Sequence, residues 1–302
     1  MIEVLVPGGT GQLGRELAAL AGDAVSVRAP GSADLDLTRA GSVIDAVADL
    51  AAKAKAAGRR PVVINAAAYT AVDKAETESS RAFAVNADGP RVLAAACSSR
   101  GVPLVHVSTD YVFDGTATSP YEVGAPTRPQ SVYGVTKLAG EQAVLGSGAQ
   151  AWVVRTAWVY SAFGANFVKT MARLEGSRDT LSVVDDQLGA PTWAADLARG
   201  LVELATRITA GSAPKSRVLH CAGAGSVTWC GFARAVFEEL GADPARVQPC
   251  TTADYPTPAK RPTYSVLSGA AWAAEGLTPL PDWRTSLSSA FKAHPKGFLP
   301  EA

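Results

Sequence analysis

Cysteine and histidine are scarce in this 302-residue chain, which holds four of the first and three of the second. So few histidines leave little for a zinc site. Cys97, Cys221, Cys230 and Cys250 show no short paired spacing, so neither a metal knuckle nor a disulfide framework is indicated. Reduced thiols packed in a core, and a cytoplasmic setting, are the expectation. A charge excess is also missing. Lys plus Arg and Asp plus Glu stand at 28 each, with no run of like sign. That excludes a nucleic-acid footprint and a polybasic membrane patch, although a phosphorylated small molecule needs just a few local donors. Long apolar runs are absent as well. The first, Ile2 to Val6, ends in a glycine-rich turn after five residues, too short for a signal-peptide core. No later run approaches the ~20 residues of a membrane span.

What is present is a chain with 47% hydrophobic residues, long enough for one large α/β domain or a large plus a small one. Ile2–Val6, Ala24–Val27, Val62–Asn65, Val102–Val107 and Ala151–Arg155 read as buried parallel strands. Between them Leu13, Leu17, Leu20 and Ala21 fall at helical spacing, as do Val43, Val47 and Leu50, and later Val85, Val92, Leu93 and Ala96. Strand followed by helix, repeated, predicts an α/β fold: a Rossmann-like, doubly wound parallel sheet with helices on both faces. After residue 157 the rhythm loosens: Asn166–Leu174 and Ala194–Thr206 read as helices, Leu181–Val184 as a strand, and Val218–Cys221 as a strand returning to the sheet. The last 80 residues are rich in proline. The expected organisation is a dinucleotide-binding domain over 1–157, with 189–222 returning to it. Residues 158–188 and 223–302 would form a smaller C-terminal substrate-binding lobe.

Gly8, Gly11 and Gly14 lie in the run Gly8-Gly9-Thr10-Gly11-Gln12-Leu13-Gly14, between the first strand and the first helix. A turn without side chains lets the backbone approach a pyrophosphate at a helix N-terminus. The acidic residue that binds a ribose 2′-hydroxyl is missing at the end of the second strand, where Arg28 stands. Its guanidinium can pair with the 2′-phosphate of NADP, or it is a solvent-exposed loop arginine. The first reading favours NADPH, with NADH the alternative. Asp36 and Leu37 are a candidate wall for the adenine.

Tyr133 and Lys137, four apart in Tyr133-Gly134-Val135-Thr136-Lys137, fall on one helix face. A ketone that accepts hydride needs a proton donor at the developing alkoxide. A phenol serves if a nearby ammonium draws its pKa down from about 10. Val105-His106-Val107-Ser108-Thr109-Asp110 ends a strand at the sheet edge where ligands bind in such folds. Thr109 is placed to donate to a substrate oxygen and Asp110 to accept from a sugar hydroxyl. His106, inside the apolar run, reads as a satisfied core histidine.

The glycine turn, Asn65-Ala66-Ala67-Ala68-Tyr69-Thr70-Ala71-Val72-Asp73, Ser108-Thr109-Asp110-Tyr111-Val112-Phe113 and the Tyr133/Lys137 pair resemble the extended short-chain dehydrogenases. Arg155-Thr156-Ala157-Trp158-Val159-Tyr160 and Asp185-Asp186-Gln187-Leu188-Gly189-Ala190-Pro191-Thr192 narrow the resemblance to the dTDP-4-dehydrorhamnose reductases within them. It runs from residue 2 to about residue 290. The resemblance implies reduction of a nucleotide-linked 4-keto-deoxysugar by NADPH. Gly11, Gln12 and Leu13 would lie on the dinucleotide phosphates, Asp36 and Leu37 on the adenosine, and Ala68, Tyr69 and Thr70 beside ribose and phosphates. Tyr133 would be the general acid, Lys137 its electrostatic partner, and Thr109, Asp110 and Trp158 the sugar contacts. The partner is then a nucleotide sugar, and the assembly a monomer or homodimer.

Some relatives use magnesium-bridged carboxylates to build a dimer. Glu16 matches one such position, but Ala195 replaces an expected glutamate and Asp196 is predicted off the matching face, so no metal ligands are assigned. Dehydratases of this fold resemble one another in a Thr-Asp-Glu run. Tyr111 after Asp110 removes the second carboxylate that elimination needs. A related nucleotide-deoxysugar 4-ketoreductase, an epimerase, and a non-catalytic regulatory subunit that keeps the dinucleotide fold are the remaining rivals.

Overall fold

The computed structural model describes residues 1–299. Six parallel strands form the central sheet: β1 (Ile2–Leu5), β2 (Val25–Arg28), β3 (Arg60–Asn65), β4 (Leu104–Thr109), β5 (Ala151–Thr156) and β6 (Val218–His220). Their order is β6-β5-β4-β3-β1-β2, every neighbouring pair parallel. The chain steps outward from β1 to β2 and then crosses to β3 on the other side of β1. That reversal opens a crevice at the carboxyl ends of β1 and β3, where ligands bind in doubly wound sheets. β4 starts two residues later than the apolar run suggests. Val102 is still donating its amide to Cys97 of the preceding helix, and Pro103 has no amide to offer a neighbouring strand.

Alternate strand residues fill opposite faces, the period of two that a pleated sheet imposes. Val4, Val62, Ile64, Val105 and Val154 pack against Leu13 and Leu17 of α1 (Gln12–Ala19) and against a long later helix, Ala194–Thr209. Leu5, Val63, Leu104 and Val153 face the other way, onto α2 (Ala40–Ala56), α3 (Gly89–Arg100) and α4 (Val132–Leu145). In the long helix Leu197, Leu201, Leu204 and Ile208 recur at three- and four-residue steps, which keeps one stripe buried along its length. α5 is Phe167–Glu175, capped by the Asn166 side chain accepting from the Lys169 amide, and the long helix is α6. A further apolar cluster joins Val168 of α5 to Phe232 and Val236 of α7 (Trp229–Glu239) and Leu287 of α8 (Trp283–Ala293). Beside it Leu181–Val184 pairs in parallel with Val247–Cys250.

The four cysteines are free, with Cys97, Cys221 and Cys230 buried and Cys250 half-buried. No helix among the described residues is long and apolar enough to cross a membrane.

Candidate active site

A cleft of about 680 Å³ opens over the carboxyl ends of β1, β3 and β4, within the size range of small-molecule sites. Gly8, Gly11, Gln12, Leu13 and Gly14 line one end of it. Gly8 sits at φ +85°, and a Cβ there would lie 2.7 Å from the Ala67 backbone. Gly9, outside the predicted spacing, is more tightly hemmed in: its Cβ would come within 1.9 Å of the Ala29 carbonyl oxygen. At Gly11 a Cβ would meet nothing of the chain nearer than Gly8 O at 3.3 Å. Packing therefore explains Gly8 and Gly9, whereas bareness at Gly11 keeps the cleft side of the turn open. Amides at the start of α1, with no side chain in front of them, suit a diphosphate. Ser32, Leu35, Asp36 and Leu37 form the wall next to the turn, and Ala66, Ala67, Ala68 and Thr70 follow from the end of β3.

At the other end stand Thr109, Asp110, Tyr133, Lys137 and Trp158. Glycine lets α4 reach them: a Cβ at Gly134 would be 2.3 Å from Tyr111 O, and one at Gly140 2.1 Å from Asn86 O. Ser131 caps the helix, its Oγ accepting from the Gly134 amide at 3.2 Å. Tyr133 is 9% exposed and meets Tyr111 edge-on, ring centroids 5.4 Å apart. Lys137, 2% exposed, donates from Nζ to Val107 O at 2.7 Å.

The electrostatics depart from the expected lowering of the phenol's pKa. Burial instead pushes Tyr133 up to about 12, with the Thr109 hydroxyl opposing and the Asp110 charge adding to the rise. Burial also lowers Lys137 to about 8, against the pull of Glu141. The ammonium is tethered to the Val107 carbonyl, which fixes its place beside α4 while its charge stays available to the cleft. Thr109 directs its proton to Asp110 Oδ1 at 2.8 Å, which competes with the expected donation to a substrate oxygen. Asp110 is itself pushed up to about 6 by burial, the Thr109 hydroxyl holding it back, and its Oδ2 has no partner among the described residues.

Two residues assigned to the cofactor side point elsewhere. Tyr69 does not line the cleft: its hydroxyl donates to Glu78 Oε2 at 2.9 Å and Arg81 lies over its ring. Arg28 also faces away, donating to Ala46 O at 3.1 Å and pairing with Asp49 at 3.5 Å on α2. His106 is buried as expected and meets Asn65 at Nδ1, 3.0 Å away, but Nε2 has no partner among the described residues. The sequence reading missed Asn86, which sits in a π-helical turn, Ala84–Asp88. Its side chain accepts from the Tyr69 amide at 2.8 Å and donates to Tyr69 O at 3.1 Å and to Thr136 Oγ1 at 3.0 Å, tying the 66–70 loop to α4. Irregular backbone of this kind leaves no periodic trace in a sequence. Trp229 was missed too: it lines the cleft from the first residue of α7.

At the position associated with magnesium, Glu16 is buried and accepts from Ser161 Oγ at 2.6 Å. Asp196 is buried as well, held by Ser286 at 2.6 Å and by Arg199. No group of three or more potential metal ligands occurs among the described residues.

Against known proteins, the family described as RmlD substrate binding domain matches residues 2–295. A dTDP-4-dehydrorhamnose reductase of Streptomyces griseus is 48% identical over 294 residues, covering 96% of this chain and 93% of the relative. A dTDP-4-keto-6-deoxy-D-glucose reductase of Streptomyces niveus is 45% identical over 289 residues, covering 95% and 96%. Among solved structures, the Bacillus anthracis dTDP-4-dehydrorhamnose reductase in complex with NADP superposes with a TM-score of 0.89 at 33% identity, covering 97% of this chain and all of that one. With the cleft, the glycine turn and the Tyr133/Lys137 helix all in one continuous match, the chain belongs to the RmlD substrate binding domain family.

Proposed function

We propose that the chain reduces the C4 keto group of dTDP-4-dehydro-L-rhamnose to the alcohol of dTDP-L-rhamnose, with NADPH as reductant. The observation that carries this reading is one cleft in which a side-chain-free turn at a helix N-terminus faces a buried tyrosine and lysine on α4. Relatives with 45–48% identity are named for reducing a 4-keto sugar nucleotide, which makes the C4 ketone the common denominator.

Reduced nicotinamide, when bound, supplies the hydride. The rest belongs to the chain. Gly8, Gly11, Gln12, Leu13 and Gly14 would hold the diphosphate, and Asp36, Leu37, Ala68 and Thr70 the adenosine and ribose. Tyr133 gives its Oη proton to the sugar's O4 as charge develops there. Burial, which raises the phenol to about 12, keeps it protonated at neutral pH but makes it a weaker acid, so its transfer depends on the charge developing on O4 and on the neighbouring ammonium. Lys137, largely ammonium at neutral pH, steadies the phenolate that remains. The hydroxyl of Thr109 orients the phenol, and the carboxylate of Asp110 fixes that hydroxyl. Trp158 and Trp229 close the sugar end, excluding water from the reacting carbon.

No second carboxylate follows Asp110, and Tyr111 stands in its place, so elimination chemistry lacks its base. The loaded Tyr133 and Lys137 would be superfluous in a regulatory subunit. A substrate-holding lobe over residues 158–188 and 223–302 is supported by the apolar cluster around Phe232 and Leu287, which Trp193 and Ala195 of the returning segment join, while Trp272 and Leu277 pack with the sheet. Four free thiols fit a cytoplasmic location, and a monomer or a homodimer is the assembly proposed. Incubation with NADPH and dTDP-4-dehydro-L-rhamnose is the test. One NADPH oxidised per dTDP-L-rhamnose formed supports the reading; a sugar nucleotide isomerised without net NADPH loss would replace it with an epimerase.

A further inference from the structure

Trp158 adopts φ +46°, alone among the described non-glycine residues in having a positive φ. A bulky side chain in that region is strained and persists where its surroundings hold it. Two neighbours bear on its ring here, and a third braces one of them. The Trp158 ring lies flat on Trp229, centroids 3.4 Å apart and planes 7° from parallel. Phe167 of α5 packs on Trp229 with centroids 4.5 Å apart. Gly189 leaves the remaining space: a Cβ there would fall 2.3 to 2.6 Å from Cε2, Cζ2 and Nε1 of the Trp158 indole. Trp229 is in turn fixed at the start of α7, where Thr228 caps the helix by accepting from the Gly231 amide at 3.0 Å.

We propose that Trp229 is a positioning residue for the sugar, holding Trp158 in its strained conformer through the indole stack while Gly189 keeps the slot behind that ring open. The inference rests on the proposed function, in which Trp158 contacts a 6-deoxyhexose. A sugar of that class carries a methyl group and an apolar C–H face, and an indole wall suits both. Without the stack, Trp158 relaxes out of the left-handed region and the wall turns away from the sugar. The cofactor end of the cleft, formed by the glycine turn, is untouched. The expected signature is therefore a split between the two ligands.

The experiment compares wild type with W229A, W229F, W158F and G189A, measuring KM for the sugar nucleotide, kcat, Kd for NADPH and near-ultraviolet circular dichroism. W229A is expected to raise KM about tenfold, the order of an aromatic stack, with NADPH affinity unchanged to within about twofold. W229F, which keeps a flat ring, should restore KM to within about threefold. G189A should raise KM as W229A does although both tryptophans remain. Parallel stacked indoles couple their transitions, so the exciton signal should disappear in W229A, W229F and W158F. A W229A enzyme with wild-type KM and kcat overturns the proposal, as does NADPH affinity falling in step with KM. Should W229A fail to fold, W229F and G189A decide: a G189A enzyme with unaltered KM refutes it. If wild type itself oxidises no NADPH with this sugar, the proposed function fails first, and the seat for that sugar falls with it.

Discussion

Asp110 lies 3% exposed behind Thr109, one carboxylate oxygen accepting from that hydroxyl and the other without a partner among the described residues. Burial lifts its pKa from 3.8 to about 6. Because the folded value is the higher one, folding favours the protonated acid. Below about pH 4 the carboxyl is neutral folded or unfolded and nothing is lost; between there and about pH 6 the cost of burying the anion builds up, and above about 6 it is fully present. Two pKa units correspond to roughly 3 kcal/mol. Asp110→Asn keeps the shape and one acceptor for Thr109 but removes the anion. Relative to wild type, the variant is expected to be about 3 kcal/mol more favoured at pH 7.5 than near pH 4, on top of a pH-independent cost of about 1–3 kcal/mol for the carboxamide N–H left without an acceptor. With an unfolding entropy of about 2.1 cal/mol/K per residue, that swing amounts to about 5 °C in the Tm difference between the two proteins. Activity should move the opposite way, kcat/KM falling about tenfold or more as the charged acceptor behind Thr109 is lost. Thermal unfolding of both proteins across this pH range is the assay. A Tm difference between variant and wild type that is the same at pH 7.5 as near pH 4 would refute the burial argument.

Lys137, lowered to about 8 by burial, loses its ammonium as pH rises through that value, so kcat/KM should fall there; a profile flat well above it would contradict an ammonium role. Glu141 grips Arg155 through two hydrogen bonds of 2.9 and 2.7 Å, both side chains at most 5% exposed. Glu141→Ala strands the guanidinium and is expected to lower stability by about 3–5 kcal/mol in urea titration; a loss below about 1 kcal/mol would place the pair in water rather than in the core. Arg28→Ala should leave the ratio of NADPH to NADH dissociation constants within about twofold, since the guanidinium is engaged on α2. A much narrower gap would mean that Arg28 leaves Asp49 for the 2′-phosphate.

The sheet was legible because its strands are short, continuously apolar and separated by helical spacing, a pattern that few other folds produce. The glycine turn and the Tyr133/Lys137 pair were legible because local geometry alone puts them beside one another. What stayed hidden depends on where a side chain turns once the chain is packed. Tyr69 follows Ala68 into the cleft region, yet its ring swings to Glu78. Arg28 ends the second strand as expected but faces α2, because alternate residues of a strand point to opposite faces. Lys137 shares a helix face with Tyr133, but four-residue spacing does not say that its ammonium will choose Val107 O. Trp229 is remote in sequence from every other cleft residue, and just the docking of α7 brings it onto Trp158.

The central claim is that Tyr133 delivers the proton to the sugar's keto oxygen, and Tyr133→Phe tests it most directly. The variant should bind NADPH within about threefold of wild type while kcat for dTDP-4-dehydro-L-rhamnose drops by about 10²–10⁴. Turnover at the wild-type rate with the cofactor bound normally would contradict it.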